Sequence, residues 1–300
     1  TRPDRPTLAV LMGREGLPAG RAELRAAGIP AYIFPESATR ALGAMHRYAR
    51  WAARPVQAPV RFPVDGERVR GILEGARAEG RTRLLEPEAY AVLESYGIPV
   101  TPHAFVTSED AAVEAFHALG GGPVVLKAVS PQVVHKTEVG GVLLDLRDYA
   151  AVRDGWARLH ASLERLAPDA DIRGAVLAPF QRSGREMVLG MSLDPTFGPL
   201  LMFGLGGIYV ETFRDVSFRI PPVTEFEAHE MIHEIRSFPL LQGVRGEPPV
   251  SLDAVAGAIQ RLSQLVLDHD QIASIDMNPF LASPEGGMAL DARIELTEMP

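Results

Sequence analysis

The chain reads as an α/β protein of two units: a fragment of a doubly wound sheet, then a larger unit of mixed α and β segments. Three observations predict this. Residues 7–54 alternate strand-like and helix-like stretches in the order β-α-β-α, the signature of a parallel sheet with helices on its faces. Residues 55–65, "PVQAPVRFPVD", carry three prolines and little periodicity, the composition of a linker. Strand and helix patterns then continue to the end of the chain. Its 300 residues suffice for about two domains and for burying roughly three quarters of the unfolded surface.

The elements can be justified in order. "TLAVLM" (7–12) is a strand-like apolar run, followed by a Gly-rich turn and a helix around "RAELRAAG". "IPAYIF" (29–34) is a second short strand, and "ESATRALGAMHRYARWAAR" (36–54) is a periodic helix for which Ser37 suits the N-cap. Two strands are too few for a free-standing domain, so 1–54 is expected to be the end of a doubly wound domain, or half of one completed elsewhere. "GERVRGILEGARAEG" is a connecting helix. In "LLEPEAYAVLESYGIPV", Pro87 suits a first helical turn and Gly97 a helix stop. "HAFVTSEDAAVEAFHALG" gives a strand and a helix opened by a Thr107–Asp110 capping-box pattern. "PVVLKAV" (123–129) and "VLLDL" (142–146) are strands joined by a loop, and a long helix follows over about 148–167. "GAVLAPF" and "EMVLGMSLDP" are strands joined by the polar turn "QRSGR". Helices around 224–237 and 251–268 precede a terminal hairpin, "IASIDMNPFLAS" and "MALDARIEL".

Composition excludes several function classes. The net charge of −8 argues against a nucleic-acid binder held by a general basic field. No apolar run approaches 18 residues, so no membrane span is expected. The absence of cysteine removes disulfides, thiolate metal sites and cysteine nucleophiles, and a cytoplasmic location is expected. The start, "TRPDRPTLAV", has neither an initiator Met nor the apolar core of a signal peptide. The chain is therefore expected to be a processed subunit or a piece of a longer protein.

Four features could carry chemistry. Lys127 lies inside an otherwise apolar strand, where it either snorkels to water or holds a ligand phosphate. His135 lies on the loop after that strand, next to Lys136 and ahead of Gly140 and Gly141, which permit close backbone approach to an anion. A neutral imidazole is also a nucleophile able to form a covalent intermediate. "FGLGGIYVE" (203–211) is a second glycine loop without the Lys-Ser/Thr ending of a P-loop. Asp276 and Asn278 are two apart on a strand, with Asp291 in the partner strand; such hard oxygen donors suit Mg²⁺ shared with phosphates, or simply a polar hairpin face. Together these are the parts phosphoryl transfer needs: positioning, charge neutralisation and an in-line nucleophile.

"PEAYAVLESYGIPVTP", "PVVLKAVSPQVVHKTEVGGV", "DPTFGPLLMFGLGGIYVETFRDVSFRIPP" and "IDMNPFL…ALDARIEL" closely resemble the ATP-grasp domain of ADP-forming acyl-CoA synthetases, in the succinyl-CoA synthetase superfamily. The resemblance covers about 84–297. It implies an ATP-grasp fold of two α+β subdomains over 84–297, a linker and connecting helix over 55–83, and the C-terminal part of a flavodoxin-like CoA-ligase domain over 1–54. It also implies the reaction acyl-CoA + ADP + phosphate ⇌ carboxylic acid + CoA + ATP. In that scheme His135 carries a phosphoryl group, received from a first histidine on the CoA-ligase part, to ADP. Lys127 matches the nucleotide-phosphate lysine, and Asn278 and Asp291 match the Mg²⁺ ligands. Ala178, Phe180 and Gln181 match the hinge along adenine, with Glu186 nearby. Gly140 and Gly141 close the histidine loop, Gly206 and Gly207 belong to the glycine loop of the grasp, and Glu211 and Arg219 are also assigned to the site. The implied cofactors are ATP/ADP and Mg²⁺, with CoA held by the missing part. The implied partner is a CoA-binding domain or subunit carrying the first histidine, within an oligomer.

Two other readings remain open at this level. A regulatory nucleotide- or CoA-sensing module of a protein acyltransferase need not keep His135. An ATP-grasp ligase joining a carboxylate to an amine needs no histidine carrier.

Overall fold

The computed structural model describes the whole chain except residues 1–4, 14–17, 55, 134, 182, 208, 209, 211, 213, 245, 299 and 300. It divides into two compact units, Thr1–Gln57 and Ala58–Pro300.

In the first unit, β1 (Ala9–Val10) pairs in parallel with β2 (Ala31–Tyr32), and helices α1 (Pro18–Ala26) and α2 (Pro35–Ala52) follow the two strands. The order is the one expected, and each strand is two residues long. The start of α2 also differs from expectation. Phe34 is the N-cap, with no side-chain bond, and Pro35 opens the helix, so Ser37 lies inside it. Proline at the first position needs no N–H partner and has its φ preset, which moves the start upstream. Among the described residues of this unit only Ala38 is buried, while Met12, Phe34, Tyr48 and Trp51 are more than half exposed.

The second unit contains two antiparallel sheets. The smaller has four strands in the order β3 (Ala104–Val106), β6 (Gly174–Pro179), β4 (Val124–Val129), β5 (Val142–Leu146). Helices α5 (Glu109–Ala118) and α6 (Tyr149–Leu166) close its core around Phe116, Leu126, Leu159, Leu163 and Leu177. The N-cap of α5 is Ser108, whose side chain accepts from Ala111 N–H, one residue beyond the expected Thr107. In the larger sheet, β11 (Gly286–Ala289), β10 (Ile272–Ser283), β7 (Arg185–Asp194), β8 (Gly198–Leu205) and β9 (Val216–Arg219) lie side by side, and β12 (Arg293–Leu296) also pairs with β10. Under it pack α3 (Gly66–Ala78), α4 (Glu86–Ser95), α7 (Glu225–Glu234) and α8 (Leu252–Asp268), around Leu73, Tyr90, Leu93, Met187, Phe203, Ile259 and Phe280.

Two differences from expectation shape the site. The strands flanking "QRSGR" are not a hairpin: β6 ends in the small sheet and β7 begins the large one, so residues 180–184 carry the chain from one sheet to the other. A polar turn signal is the same whether the next strand returns or departs, and only the pairing partners distinguish the two. The terminal hairpin is likewise split, with β11 and β12 both antiparallel to β10, whose register shifts between Met277 and Phe280. Residues 82–101 wrap this edge. Leu84 N–H donates to Ile294 O at 3.0 Å, and Thr101 N–H to Ala289 O at 2.9 Å. These two ties set the first turn of α4 beneath the 290–293 turn. Among the described residues no helix is long and apolar enough to cross a membrane.

Candidate functional site

The two sheets of the second unit face each other across a cleft of about 370 Å³, within the size range of small-molecule sites. One wall comes from the small sheet. Residues two apart on a strand share a face, so Val125 and Lys127 of β4, Val142 and Leu144 of β5, and Ala178 of β6 all line the cleft. Phe180 and Gln181 of the crossing segment and residues 135–138 of the loop continue this wall. Glu186, Pro279, Leu290, Asp291 and Arg293 come from the large sheet, and Thr101 from the segment that wraps its edge. Apolar side chains from β4 and β5 thus meet a charged group around Lys127.

That charged group is tightly built. Lys127 Nζ donates to Leu290 O at 2.6 Å and to Glu86 Oε1 at 2.9 Å, and lies 3.8 Å from Asp291 Oδ1. The other carboxylate oxygen of Glu86 accepts from Lys136 Nζ. Glu86 is 5% exposed. Its burial pushes the carboxyl pKa up, but the charges of Lys127 and Lys136 more than offset this and hold it down at about 2. Burial alone would lower the Lys127 pKa, but Glu86 and then Asp291 raise it above the usual value. Tyr90 OH is 2.7 Å from both Glu86 Oε1 and Leu290 O, and burial followed by the Glu86 charge raises its pKa strongly. Lys127 is therefore cationic at neutral pH, and it shares one buried counter-ion, Glu86, with Lys136.

Asp291 Oδ1 accepts from Ala292 N–H at 3.0 Å. Across the hairpin, Leu290 N–H donates to Pro279 O at 2.9 Å, which puts Asn278 and Asp291 at neighbouring positions of the β10 edge. Asp276 is raised in pKa, first by burial and then by the Asp291 charge, against the opposing effect of Arg293. The register shift after Met277 breaks the simple alternation expected of Asp276 and Asn278: Asp276 is half-buried and Asn278 exposed. Among the described residues no group of three or more histidine or carboxylate side chains converges to hold a metal alone. One carboxylate and one amide oxygen at a cleft edge fit Mg²⁺, which keeps its remaining positions for water and ligand oxygens.

Of the residues the sequence singled out, the structure brings Lys127, His135, Ala178, Phe180, Gln181, Glu186 and Asp291 into one cleft. His135 is exposed at its rim. Phe180 N–H is committed to Pro123 O at 2.8 Å. Gly140 and Gly141 serve the turn that closes the loop instead of lining the cleft. Gly140 has φ +67°, Gly141 N–H donates to Lys136 O at 2.7 Å, and a side chain at Gly140 would collide with Ser162. Gly206 is buried behind Glu186, to whose carbonyl its N–H donates at 2.8 Å, and Gly207 is exposed beside it. Arg219 is not a lining residue: its guanidinium pairs with Glu234 of α7 at 2.6 Å. Glu211 lies outside the described residues.

Glu86, Thr101 and Arg293 were not singled out from the sequence. Glu86 had a signal: with Tyr90 and Leu93 it recurs at the i, i+4, i+7 spacing of one helix face, so an acid sits on the apolar stripe of α4. Thr101 is 2% exposed, and its hydroxyl has no partner among the described residues.

The fold matches that of known proteins. An ATP-grasp domain model matches residues 75–296. The 4-hydroxybutyrate–CoA ligase (ADP-forming) of Nitrosopumilus maritimus is 38% identical over 96% of this chain, but the match spans only 42% of that relative's length. The beta subunit of acetate–CoA ligase (ADP-forming) I from Pyrococcus furiosus is 43% identical over 76% of this chain and 98% of its own. Dinucleotide-forming acetyl-coenzyme A synthetase 1 of Candidatus Korarchaeum cryptofilum matches in two solved structures, each covering 76% of this chain and 100% of that one. One, with coenzyme A and Mg-AMPPCP, has its phosphohistidine segment pointing towards the nucleotide-binding site (41% identity, TM-score 0.67). The other, with coenzyme A and acetyl-coenzyme A, has a phosphorylated segment in the site I orientation (43%, TM-score 0.71). With its two-sheet cleft and matched segments, the chain belongs to the ATP-grasp family, in the branch of the beta subunits of ADP-forming acetate–CoA ligases.

Proposed function

We propose that this chain is the nucleotide-binding, phosphohistidine-shuttling portion of an ADP-forming acyl-CoA synthetase, which interconverts acyl-CoA, ADP and phosphate with carboxylic acid, CoA and ATP. The observation that carries the reading is the presence of His135 and Lys127 in the same cleft as Asp291. Lys127, fixed between Glu86 and the Leu290 carbonyl, holds a phosphate oxygen as a point charge. Val125, Val142, Leu144 and Ala178 provide an apolar slot for the base, and the segment through Phe180 and Gln181, with Glu186, orients the nucleoside. Thr101 offers a buried hydroxyl to the same ligand. Asn278 and Asp291 hold Mg²⁺, which neutralises charge on the phosphate oxygens when bound.

In the direction of ATP synthesis a β-phosphate oxygen of ADP attacks the phosphorus of phosphorylated His135. The P–N bond breaks, and its electron pair returns to the imidazole. In reverse, an imidazole nitrogen attacks the γ-phosphorus of ATP, and ADP leaves with the electron pair of the broken P–O bond. The attacking imidazole must be neutral.

The CoA chemistry, and the first histidine, belong to a CoA-binding domain or subunit. Residues 1–54 are the C-terminal part of that domain, joined through 55–83 to the ATP-grasp domain of 84–297. Their exposed apolar side chains, including Met12, Phe34 and Trp51, fit a unit completed by further chain. The complete enzyme is an oligomer of the cytoplasm.

Intact-mass spectrometry of the chain after mixing with Mg-ATP tests the reading. An acid-labile gain of about 80 Da, one phosphoryl group, is expected in wild type and absent in His135→Ala. If the missing domain is added back, ATP still binds and no adduct forms, the shuttle reading fails and a sensor or a direct carboxylate–amine ligase replaces it.

A further inference from the structure

Glu86 is an unexpected group at a phosphate site. A buried carboxylate beside the phosphate lysine repels an incoming polyphosphate and masks the charge that attracts it, so phosphate binding alone does not account for it. Its position suggests another task. Glu86 lies on α4, which packs in the core of the large sheet through Tyr90 and Leu93. Lys136 lies on the histidine loop, which is rooted in the small sheet's core through Val133 at one side and Val139 at the other. The ion pair between them therefore joins the two subdomains at the residue adjacent to His135.

The rest of the loop holds mainly to itself and to its own subdomain. Glu138 N–H donates to His135 O, Gly140 N–H to Thr137 O and Gly141 N–H to Lys136 O. Ser162 Oγ of α6 donates to Val139 O at 3.0 Å. Among the described residues 135–138, the only side-chain tie to the large-sheet subdomain is that of Lys136 to Glu86. The carboxylate is itself fixed from the other side by Lys127 and faces Tyr90. Asp291 balances Lys127, and Arg293 also lines the cleft.

We propose that Glu86 is a latch for the histidine loop: it binds Lys136, keeps His135 in the cleft, and must let Lys136 go before the loop can leave. This rests on the shuttle reading above, in which His135 visits two sites. Glu86 is a positioning residue, acting on His135 through Lys136. A charge-assisted pair of this kind is strong enough to bias a mobile loop, yet it can be broken without unfolding either core.

The test is amide hydrogen exchange of the nucleotide-free chain, read at Glu138, Gly140 and Gly141, with the amides of α8 (Leu252–Asp268) as control. Lys136→Met and Glu86→Gln are each expected to speed loop exchange on the order of tenfold. The double variant should be no faster than either single one, and α8 should be unchanged in Lys136→Met. Lys136→Arg keeps the charge and should keep most of the protection. If Glu86→Gln does not fold, Lys136→Met decides alone, because it alters a loop side chain and leaves the Glu86–Lys127 pair in place. The latch is overturned if Lys136→Met leaves loop exchange within about twofold of wild type. It is also overturned if the single effects multiply in the double variant, if α8 loosens in parallel in Lys136→Met, or if Lys136→Arg loses as much protection as Lys136→Met. The readout needs no phosphoryl transfer. Loop coupling without phosphorylation of His135 sinks the shuttle and keeps the latch; phosphorylation without coupling does the reverse.

Discussion

Replacing Glu86 by Gln should destabilise the second unit in a pH-dependent way, and the size can be worked out from the site. The amide keeps the shape of the carboxyl but removes the charge that Lys127 and Lys136 share. In the folded chain this carboxyl titrates at about 2, against an ordinary 4.5. At about 1.4 kcal/mol per pKa unit, the difference is worth ~3 kcal/mol. Because the folded pKa lies below the unfolded one, the stabilisation is complete above the unfolded value and fades as pH falls through the folded value. Wild type should therefore exceed Glu86→Gln by ~3 kcal/mol at pH 7 but by only ~1 kcal/mol at pH 3. Urea unfolding followed by the helical circular dichroism signal at the two pH values measures this gap, and the difference between proteins removes the titration of other carboxylates. A gap of equal size at pH 3 and pH 7 would refute the reasoning, since packing or amide hydrogen bonding would then carry the effect instead of the charge.

Other outcomes follow from the same geometry. Lys127→Met should weaken Mg-ATP binding by about 10- to 100-fold, the worth of one hydrogen bond to a charged group; calorimetry showing less than about a twofold change would remove Lys127 from the phosphate site. Arg219→Gln should leave ATP affinity unchanged within about twofold, because the guanidinium is paired with Glu234 and does not line the cleft; a large loss would return Arg219 to the site. Gly190→Ala puts a Cβ 2.6 Å from the Ile275 carbonyl, between the central strands β7 and β10. It should cost about 1–3 kcal/mol, seen as a lower thermal midpoint, and an unchanged midpoint would show that the sheet yields there. Asp291→Asn should raise the Mg²⁺ concentration needed for His135 phosphorylation by roughly tenfold; an unaltered Mg²⁺ dependence would exclude Asp291 as a ligand.

Much of the fold was legible because its signals are local. Apolar runs marked β4 and β5, with Lys127 as the one charged residue of β4. Amphipathic spacing marked α6 and α8. The sheet partners were not legible. "QRSGR" reads as a tight turn between neighbours, yet β6 and β7 join different sheets, and the crossing between them lines the cleft. Which strands pair depends on burial summed over the whole unit, and no short window of sequence carries that sum.

The candidate site divides in the same way. Sequence by itself determined which residues could do chemistry: His135 beside Lys136, Lys127 in its strand, and Asp291 in the terminal segments, each visible as a polar group where an apolar or turn residue would otherwise stand. Tertiary structure alone decided which of them meet. It turned Gly140 and Gly141 to the service of the loop and Arg219 towards α7, and it brought Glu86 from another helix to hold both lysines. The physical reason is that a charge is costly to bury unless an opposite charge arrives with it. That partner can come from any part of the chain, and here it lies 41 residues from Lys127 and 50 from Lys136.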